Sequence, residues 1–425
     1  MTPRYRICCC TFNEHLSQGH KGDSSASLAA WLGPALSESE GTKAHDEAPE
    51  FVAAGFQELI PLHLSLSGLT SSTLSRYNTD LLAALHKRYP RQSASGYALV
   101  ARHSLGGIAL LVYARRDVAQ RVKSVETAQA GCGVFGLMGN KGAVGARVTL
   151  VEPAPEATGK AEAGAGKDAR QESTFTFVAA HLAAHQSQKW VERRNQDWRS
   201  IVERLVFVDE RGEEAQLFDP GHLFFFGDLN YRLSRTSPRP LPLDILSTQL
   251  SALSTPSAHE AYATLLPHDQ LTQERTTGRT LHHLREGPIA FPPSYKFRLG
   301  TSEYVSPEKR VPSWTDRVLF ASSADADAKV ERYDSVHSFE RSDHKPVIAL
   351  ISLPADLAPK RLPFRAPFPI DPSWRLKRAL GTVLDRLVGV VWCLVMLAGL
   401  GKDVRLGVVN LVLAALTAYY RRNYM

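Results

Sequence analysis

The chain has 425 residues, 44% of them hydrophobic and 22% charged, with five cysteines and a formal net charge of +7. That length suits one large catalytic domain or two ordinary ones, and the cysteines (Cys8, Cys9 and Cys10 adjacent, Cys132 and Cys393 far off) exclude a disulfide framework and point to a reducing compartment. The basic excess sits in the tail: Lys360 to the end carries 11 Lys+Arg against 3 Asp+Glu, leaving 39 basic against 40 acidic residues before it, which argues against a broadly nucleic-acid-binding domain and for a tail facing anionic lipid.

Arg4 and Arg6 precede only a short apolar run, so no amino-terminal signal peptide is expected. Tyr5 to Phe12 predicts a first strand ending at Asn13. Lys21 to Pro49 reads as a polar, variable loop. Phe51 to Glu58 predicts a short strand, and Leu74, Tyr77, Leu81 and Leu85 give Leu74 to Tyr89 a helical face. Tyr97 to Ala101 and Gly107 to Tyr113 form a hairpin. Val134-Phe135-Gly136-Leu137-Met138 is an apolar tip, read either as a loop folded onto the core or as a segment that dips into lipid. Gly139-Asn140-Lys141-Gly142 follows and leads into a strand from Ala143 to Leu150. Glu152 to Glu172 is an exposed insertion before the strand Thr174 to Ala180, and Trp190 to Phe207 is an amphipathic helix. Phe224-Phe225-Phe226 ends a buried strand, and Gly227 lets the chain turn sharply into Asp228 and Asn230. Leu241 to Leu284 is mostly helical, Ala321 to Lys329 is a second loose insertion, and Val347 to Leu353 is the closing strand. Many short strands with few βαβ repeats favour two packed sheets flanked by helices over one doubly wound sheet.

Polar groups recur where apolar strands end: Asn13, Glu58, His181, Asp228, Asn230, Asp316, Asp343 and His344. Polar residues fall at strand ends in any case, but eight such groups suggest that one face of a sandwich carries a site. Glu58 and Asn13 supply hard oxygen ligands suited to Mg²⁺. No HExxH or cysteine cluster suggests zinc. His344 can donate to phosphate or act as a base if a carboxylate such as Asp316 fixes its tautomer. Lys141, Arg194 and Lys296 offer cations for further phosphates.

In family order across residues 5 to 353, several stretches resemble the inositol polyphosphate 5-phosphatases of the endonuclease/exonuclease/phosphatase superfamily. They are Thr11-Phe12-Asn13, Gly55-Phe56-Gln57-Glu58, Gly139-Asn140-Lys141-Gly142, His181-Leu182-Ala183-Ala184-His185 and Arg193-Arg194-Asn195. Phe226-Gly227-Asp228-Leu229-Asn230-Tyr231-Arg232, Pro293-Ser294-Tyr295-Lys296, Pro312-Ser313-Trp314-Thr315-Asp316-Arg317 and Ser342-Asp343-His344-Lys345-Pro346 complete the set. The resemblance implies a four-layer α/β sandwich (DNase I-like) and a Mg²⁺-dependent phosphomonoesterase. By motif it implies Mg²⁺ on Glu58 with Asn13 in or near its shell, and Asp228 acting on the attacking water. It implies Asn230 and His181 on the transferring phosphoryl, His344 on the scissile phosphate paired with Asp316, and Asp343 supporting the centre. Tyr295 and Lys296 would read the 4-phosphate, with Asn140, Lys141 and Arg194 as further substrate contacts. Ala179-Ala180 stand where Asn-Ser is expected, and Ser294 replaces the usual Thr.

The tail has a Pro-punctuated linker, Pro363 to Pro372, then apolar runs Leu387 to Leu400 and Leu406 to Tyr420. The expected divisions are a catalytic domain over 1–356, a linker over 357–380 and a membrane-associated helical tail over 381–425; two core helices are the alternative. Some fungal members of the resembled family carry a carboxy-terminal anchor in the endoplasmic reticulum. The expectation is therefore a monomeric cytosolic domain on an internal membrane, acting on phosphoinositide in an anionic bilayer with no nucleic-acid partner. A same-fold endonuclease or sphingomyelinase, or a non-catalytic phosphoinositide tether, are the competing readings.

Overall fold

The computed structural model describes residues 4–15, 31–32, 48–89, 96–152, 171–219, 221–234, 241–252, 258–308, 310–323, 328–354, 364–397 and 404–424. The expected loop over 21–49 and insertion over 152–172 lie almost wholly outside these residues, as do the centre of 321–329 and the expected boundary at 356–357.

In chain order the elements are β1 (Arg4–Asn13), β2 (Phe51–Gln57), α1 (Leu62–Leu66), α2 (Ser71–Arg88), β3 (Tyr97–Leu105), β4 (Ile108–Arg115), α3 (Arg116–Ala119), β5 (Val122–Gly131), β6 (Gly142–Val151), β7 (Glu172–His181), α4 (Gln188–Arg204), β8 (Phe207–Val208), β9 (Glu214–Ala215), β10 (His222–Asp228), α5 (Leu243–Ala252), α6 (Ala258–Leu265), α7 (Gln270–Thr276), β11 (Arg285–Glu286), β12 (Asp316–Ser322), β13 (Lys329–Ser335), β14 (Val347–Pro354), α8 (Trp374–Leu397) and α9 (Val404–Tyr424). One sheet has the order β13-β14-β1-β2-β4-β3 and the other β11-β12-β10-β7-β6-β5. Both are mixed, because β1 pairs in parallel with β2, and β7 with β10, while their other neighbours are antiparallel.

The alternation of side chains along each strand sorts them into an inner core and two outer ones. Between the sheets, Phe51 packs on Phe175 (ring centroids 5.0 Å) and Phe177 (5.6 Å), and Phe177 stacks on Phe224 (5.2 Å). Burying each ring contributes about 1.5–3 kcal/mol. The sheets approach so closely here that a Cβ on Gly55 would lie 2.8 Å from the Ala179 methyl and 2.7 Å from the Phe226 ring. A small residue at 179, where the resemblance anticipates Asn, therefore fits the packing. Cys8, Cys10 and Phe12 point to the opposite face, against the Leu74, Tyr77, Leu81 and Leu85 stripe of α2. Val191, Trp198, Ile201 and Val202 of α4 cover the other sheet. This is the four-layer α/β sandwich the sequence predicts, with a C-terminal apolar helix.

Three elements differ from the sequence reading. β5 was not anticipated: it is an edge strand bearing Lys123, Glu126 and Gln129, and its outer half is exposed. Among its described residues Leu241 to Leu284 is mostly helical, as expected, but it is divided into three α-helices and the 3-10 turn Leu266–His268, with turns after Thr276. Helix α8 begins at Trp374 and runs unbroken through residue 380, where a linker was expected to end.

Candidate active site

Strand register assembles the site. His181 lies opposite Asp228 in the parallel β7–β10 pair, and Asp228 opposite Asp316 in the antiparallel β10–β12 pair. From the facing sheet, β1 ends at Asn13, β2 runs into Glu58, and the turn before β14 carries Asp343 and His344. Gly227 has φ +150°, and a Cβ there would collide with the carbonyl oxygen of Ala180, so β10 can hug β7 only with glycine. Glu58 (φ 50°) and Asn230 (φ 58°) are both left-handed. Asn tolerates this conformation, whereas for Glu58 it costs about 1–3 kcal/mol, which the surrounding packing must offset.

Asp228 is the hub. Asn13 Nδ2 donates to its Oδ2 at 2.9 Å, and the Asn230 backbone N–H donates to its Oδ1 at 3.1 Å. His181 Nε2 lies 3.3 Å and His344 Nε2 4.0 Å from Oδ2. Behind His344, its Nδ1 donates to Asp316 Oδ2 at 2.9 Å, and the same oxygen accepts from the Ser294 (2.7 Å) and Thr315 (2.9 Å) hydroxyls. The Tyr295 ring packs on the His344 ring with centroids 4.3 Å apart. Asp343 pairs with the Lys296 ammonium and with His15 Nδ1 at 3.1 Å. Lys141 Nζ lies 2.7 Å from His181 Nε2. Asn230 Nδ2 donates to Leu182 O at 3.1 Å, while its Oδ1 accepts from Arg232 Nη2 at 2.7 Å.

These contacts set the protonation states. Burial would push the Asp228 carboxyl up, but the His181 hydrogen bond and the charges of His344 and Lys141 reverse this and hold it well below the usual carboxylate range. Burial would lower His344, yet the charge and hydrogen bond of Asp316, with Asp228 and Asp343, push its imidazole up to about 10. At neutral pH the proton of the His344–Asp316 pair therefore sits on the imidazole. Burial, then the charge of Lys141, lowers His181 and keeps it neutral. The arrangement is an ionised carboxylate beside a neutral and a charged imidazole, with two lysines at hand. It can take a proton from water while donating to an oxyanion.

Glu58, Asn13, His181, Asp228, Asn230, Asp316, Asp343, His344, Tyr295, Lys296 and Lys141 thus converge. Arg194 does not join them. It is wholly buried in α4, donating to Ala183 O (3.1 Å), His185 O (2.9 Å) and Gln270 Oε1 (2.8 Å), so it props up the loop after His181. Asn140 holds its own loop, its Oδ1 accepting from the Val134 N–H at 3.2 Å. Sequence reasoning missed Arg232, whose guanidinium bonds Asn230 and lies 4.6 Å over the Tyr295 ring, although it sits in the same run as Asp228. It also missed the hydroxyls of Ser294 and Thr315.

The residues fit a hard divalent cation. The Glu58 carboxylate is one-third exposed, lies 4.0 Å from His181 Nε2, and receives no hydrogen bond from a described residue, leaving oxygen free for an ion. Asn13 is more committed, because its Oδ1 accepts from the His15 N–H at 3.0 Å while its Nδ2 faces Asp228. Asp228, Asp316 and His344 form a second grouping, each offering a ligand atom within 4.8 Å of the others. The hydrogen bond between His344 and Asp316 already engages two members of that group.

Residues 10–350 match the endonuclease/exonuclease/phosphatase family 2. The chain is 29% identical over 309 residues to the type II inositol 1,4,5-trisphosphate 5-phosphatase of Mus musculus, covering 72% of this chain and 27% of that protein. It is 32% identical over 258 residues to inositol-1,4,5-trisphosphate 5-phosphatase 1 of Schizosaccharomyces pombe, covering 60% of this chain and 20% of the relative. The chain thus spans about a quarter or less of these relatives. Among solved structures, it shares its fold with the inositol polyphosphate 5-phosphatase domain of a synaptojanin, solved with inositol (1,4)-bisphosphate and calcium, at TM-score 0.58 and 24% identity over 91% of both chains. The fold also resembles a Cimex nitrophorin solved as a ferrous NO complex, at TM-score 0.52 and 16% identity over 83% of this chain and 99% of that one, so the fold alone does not decide the chemistry. With its family match spanning both sheets and every strand-end group of the site, this chain belongs to the endonuclease/exonuclease/phosphatase family 2 and is homologous to the inositol 5-phosphatases.

Proposed function

We propose that this protein hydrolyses the 5-phosphate of phosphatidylinositol 4,5-bisphosphate at a membrane, with Mg²⁺ as cofactor. The observation that carries the reading is the Asp228 carboxylate, held ionised between His181 and the protonated His344. Asp228 positions the attacking water and takes its proton. His344, kept charged by Asp316, donates to a phosphoryl oxygen. Asn230, fixed by Leu182 O and Arg232, and Lys141, beside His181, steady the other oxygens as charge spreads over them. Glu58, with the remaining lone pair of Asn13, would hold the Mg²⁺, which when bound supplies Lewis-acid neutralisation of phosphoryl charge. Lys296 and Tyr295, on the far side of His344, would read the 4-phosphate, with Asp343 orienting Lys296 and Asn140 shaping the loop that presents Lys141.

Residues 1–356 are the catalytic unit in this reading, and the tail attaches it to an internal membrane such as the endoplasmic reticulum. Attachment is supported by α8, a 24-residue helix that contains an 18-residue stretch of mean hydropathy 1.9 and is by length and composition apolar enough to cross a membrane, and by the basic tail. Phosphate release from short-chain phosphatidylinositol 4,5-bisphosphate, with Mg²⁺ or EDTA, tests the activity, with plasmid DNA as the control for a same-fold nuclease. Release that needs Mg²⁺ and leaves DNA intact is expected. DNA cleavage without phosphate release would overturn the reading, and no turnover of any substrate would favour a non-catalytic tether.

A further inference from the structure

Helix α8 lies beyond the matched family region, and its two faces are inverted relative to an ordinary surface helix. Its outer stripe is Leu376, Leu380, Val383, Leu387, Val390 and Leu394, spaced 4, 3, 4, 3 and 4 residues and 45–63% exposed. Beyond Trp374, its inner face is small and polar. Asp385 accepts the Gly139 N–H at 3.0 Å through both carboxylate oxygens. Arg378 Nη2 donates to Val206 O at 3.0 Å, and Arg386 Nη1 to Leu66 O at 3.2 Å. Gly381 and Gly389 lie so close to Leu137 O and Ser67 N that a Cβ at either would collide.

The geometry points to one bilayer-docking surface, made of the outer stripe of α8 and the Val134–Phe135 tip, that lies in the plane of the membrane interface and fixes how the active site faces lipid. This deepens the membrane attachment proposed above and rests on it, but not on the hydrolysis. Contacts with the domain extend from Trp374, which donates to Glu214 at 3.3 Å, to Cys393 Sγ, 3.6 Å from His63 O. The twenty helical residues from Trp374 to Cys393 rise about 28 Å from first to last. A helix gripped over that length has no free stretch left to cross a hydrocarbon core of about 30 Å, so its apolar side can leave water only sideways.

The loop that carries the tip is fastened to the inner side of α8. Phe135 is 82% exposed, and its loop is bonded to α8 through Gly139. Two residues on, Lys141 touches His181. The loop therefore joins the apolar surface to the catalytic centre.

A bilayer fits better than a second copy of the chain. Helix α9, joined to the end of α8, is exposed along Val408 to Arg422 and carries Val408, Leu411, Val412, Leu413 and Leu416 over more than half of its circumference, a wider apolar face than a one-sided protein interface needs. It ends in Tyr419-Tyr420-Arg421-Arg422, the residue types of a membrane interface.

The test places nitroxides on the full-length protein by Leu376→Cys, Val383→Cys and Val390→Cys in a Cys393→Ala background; the other four cysteines are buried. Depth is read by power saturation on phosphatidylcholine/phosphatidylserine vesicles. In-plane docking predicts equal, shallow depths at the three sites, and a Phe135→Cys label at the same level. A spanning helix would instead give depths that change by about 21 Å from 376 to 390, which would overturn the proposal while leaving membrane attachment intact. Vesicle-bound protein with all labels shielded from lipid-phase oxygen would mean a protein partner covers the stripe, and also overturns it. Protein that fails to bind vesicles at all defeats the attachment reading itself.

Discussion

Asp316→Asn isolates a charge at constant shape. Asp316 is wholly buried, and its Oδ2 gathers the His344, Ser294 and Thr315 donors. An amide oxygen can occupy the same place and accept the same bonds, so the variant should fold. What it loses is the charge that keeps His344 protonated. Raising an imidazole from 6.5 to about 10 corresponds to on the order of 5 kcal/mol at about 1.4 kcal/mol per unit, supplied jointly by Asp316, Asp228 and Asp343 against burial. Because the folded value is raised, the stabilisation is complete below pH 6.5 and disappears as pH rises through about 10. In wild-type enzyme the alkaline limb of kcat attributable to His344 should lie near the upper value. In Asp316→Asn it should move down toward or below 6.5, and kcat at pH 7.5 should fall by about 10²–10³, within the range of a general acid–base group. The assay is phosphate release from short-chain lipid between pH 5 and 10, with His344→Ala and the double variant alongside. An unmoved alkaline limb, or losses that add fully in the double-mutant cycle, would refute the coupling.

Glu58→Gln replaces the least-bonded carboxylate of the site with a neutral amide; half-maximal Mg²⁺ should rise at least tenfold in a metal titration, and an unchanged titration removes Glu58 from the metal site. Lys296→Ala should raise KM for the 4,5-bisphosphate by about 10–100-fold, the worth of a hydrogen bond to a charged group, but leave a substrate lacking the 4-phosphate nearly untouched; equal losses would deny the specificity role. Asp385→Ala strands the buried Gly139 N–H and should destabilise the 133–141 loop by about 1–3 kcal/mol, read as faster hydrogen exchange at Gly139, and exchange at the wild-type rate would mean water replaces the carboxylate without cost.

The sandwich and most of the site were legible because the signal was local. An apolar run followed at once by Asp228, His181 or Asn13 marks a strand that ends in a polar group, and register then brings those ends together. Partnerships across the chain were less visible. Arg193, Arg194 and Asn195 are successive on α4 and so point about 100° apart. Nothing in the run says that Arg193 reaches Gly133 O, Arg194 the loop after His181, and Asn195 the Tyr231 hydroxyl. Strand β5 escaped because an edge strand with one wet face lacks the apolar density of its neighbours. In the tail, counting apolar residues located the two apolar runs. It overlooked that Gly381, Asp385 and Gly389 recur every four residues, a small polar stripe that seats α8 on the domain.

The central claim is regiochemical, so the most direct measurement identifies which phosphate leaves. Purified protein with Mg²⁺ should convert inositol 1,4,5-trisphosphate, or the short-chain 4,5-bisphosphate lipid, to the product that retains its 4-phosphate, resolved by ion chromatography, with Asp228→Asn inactive on both. Loss of the 4-phosphate, or turnover surviving in Asp228→Asn, would contradict the account.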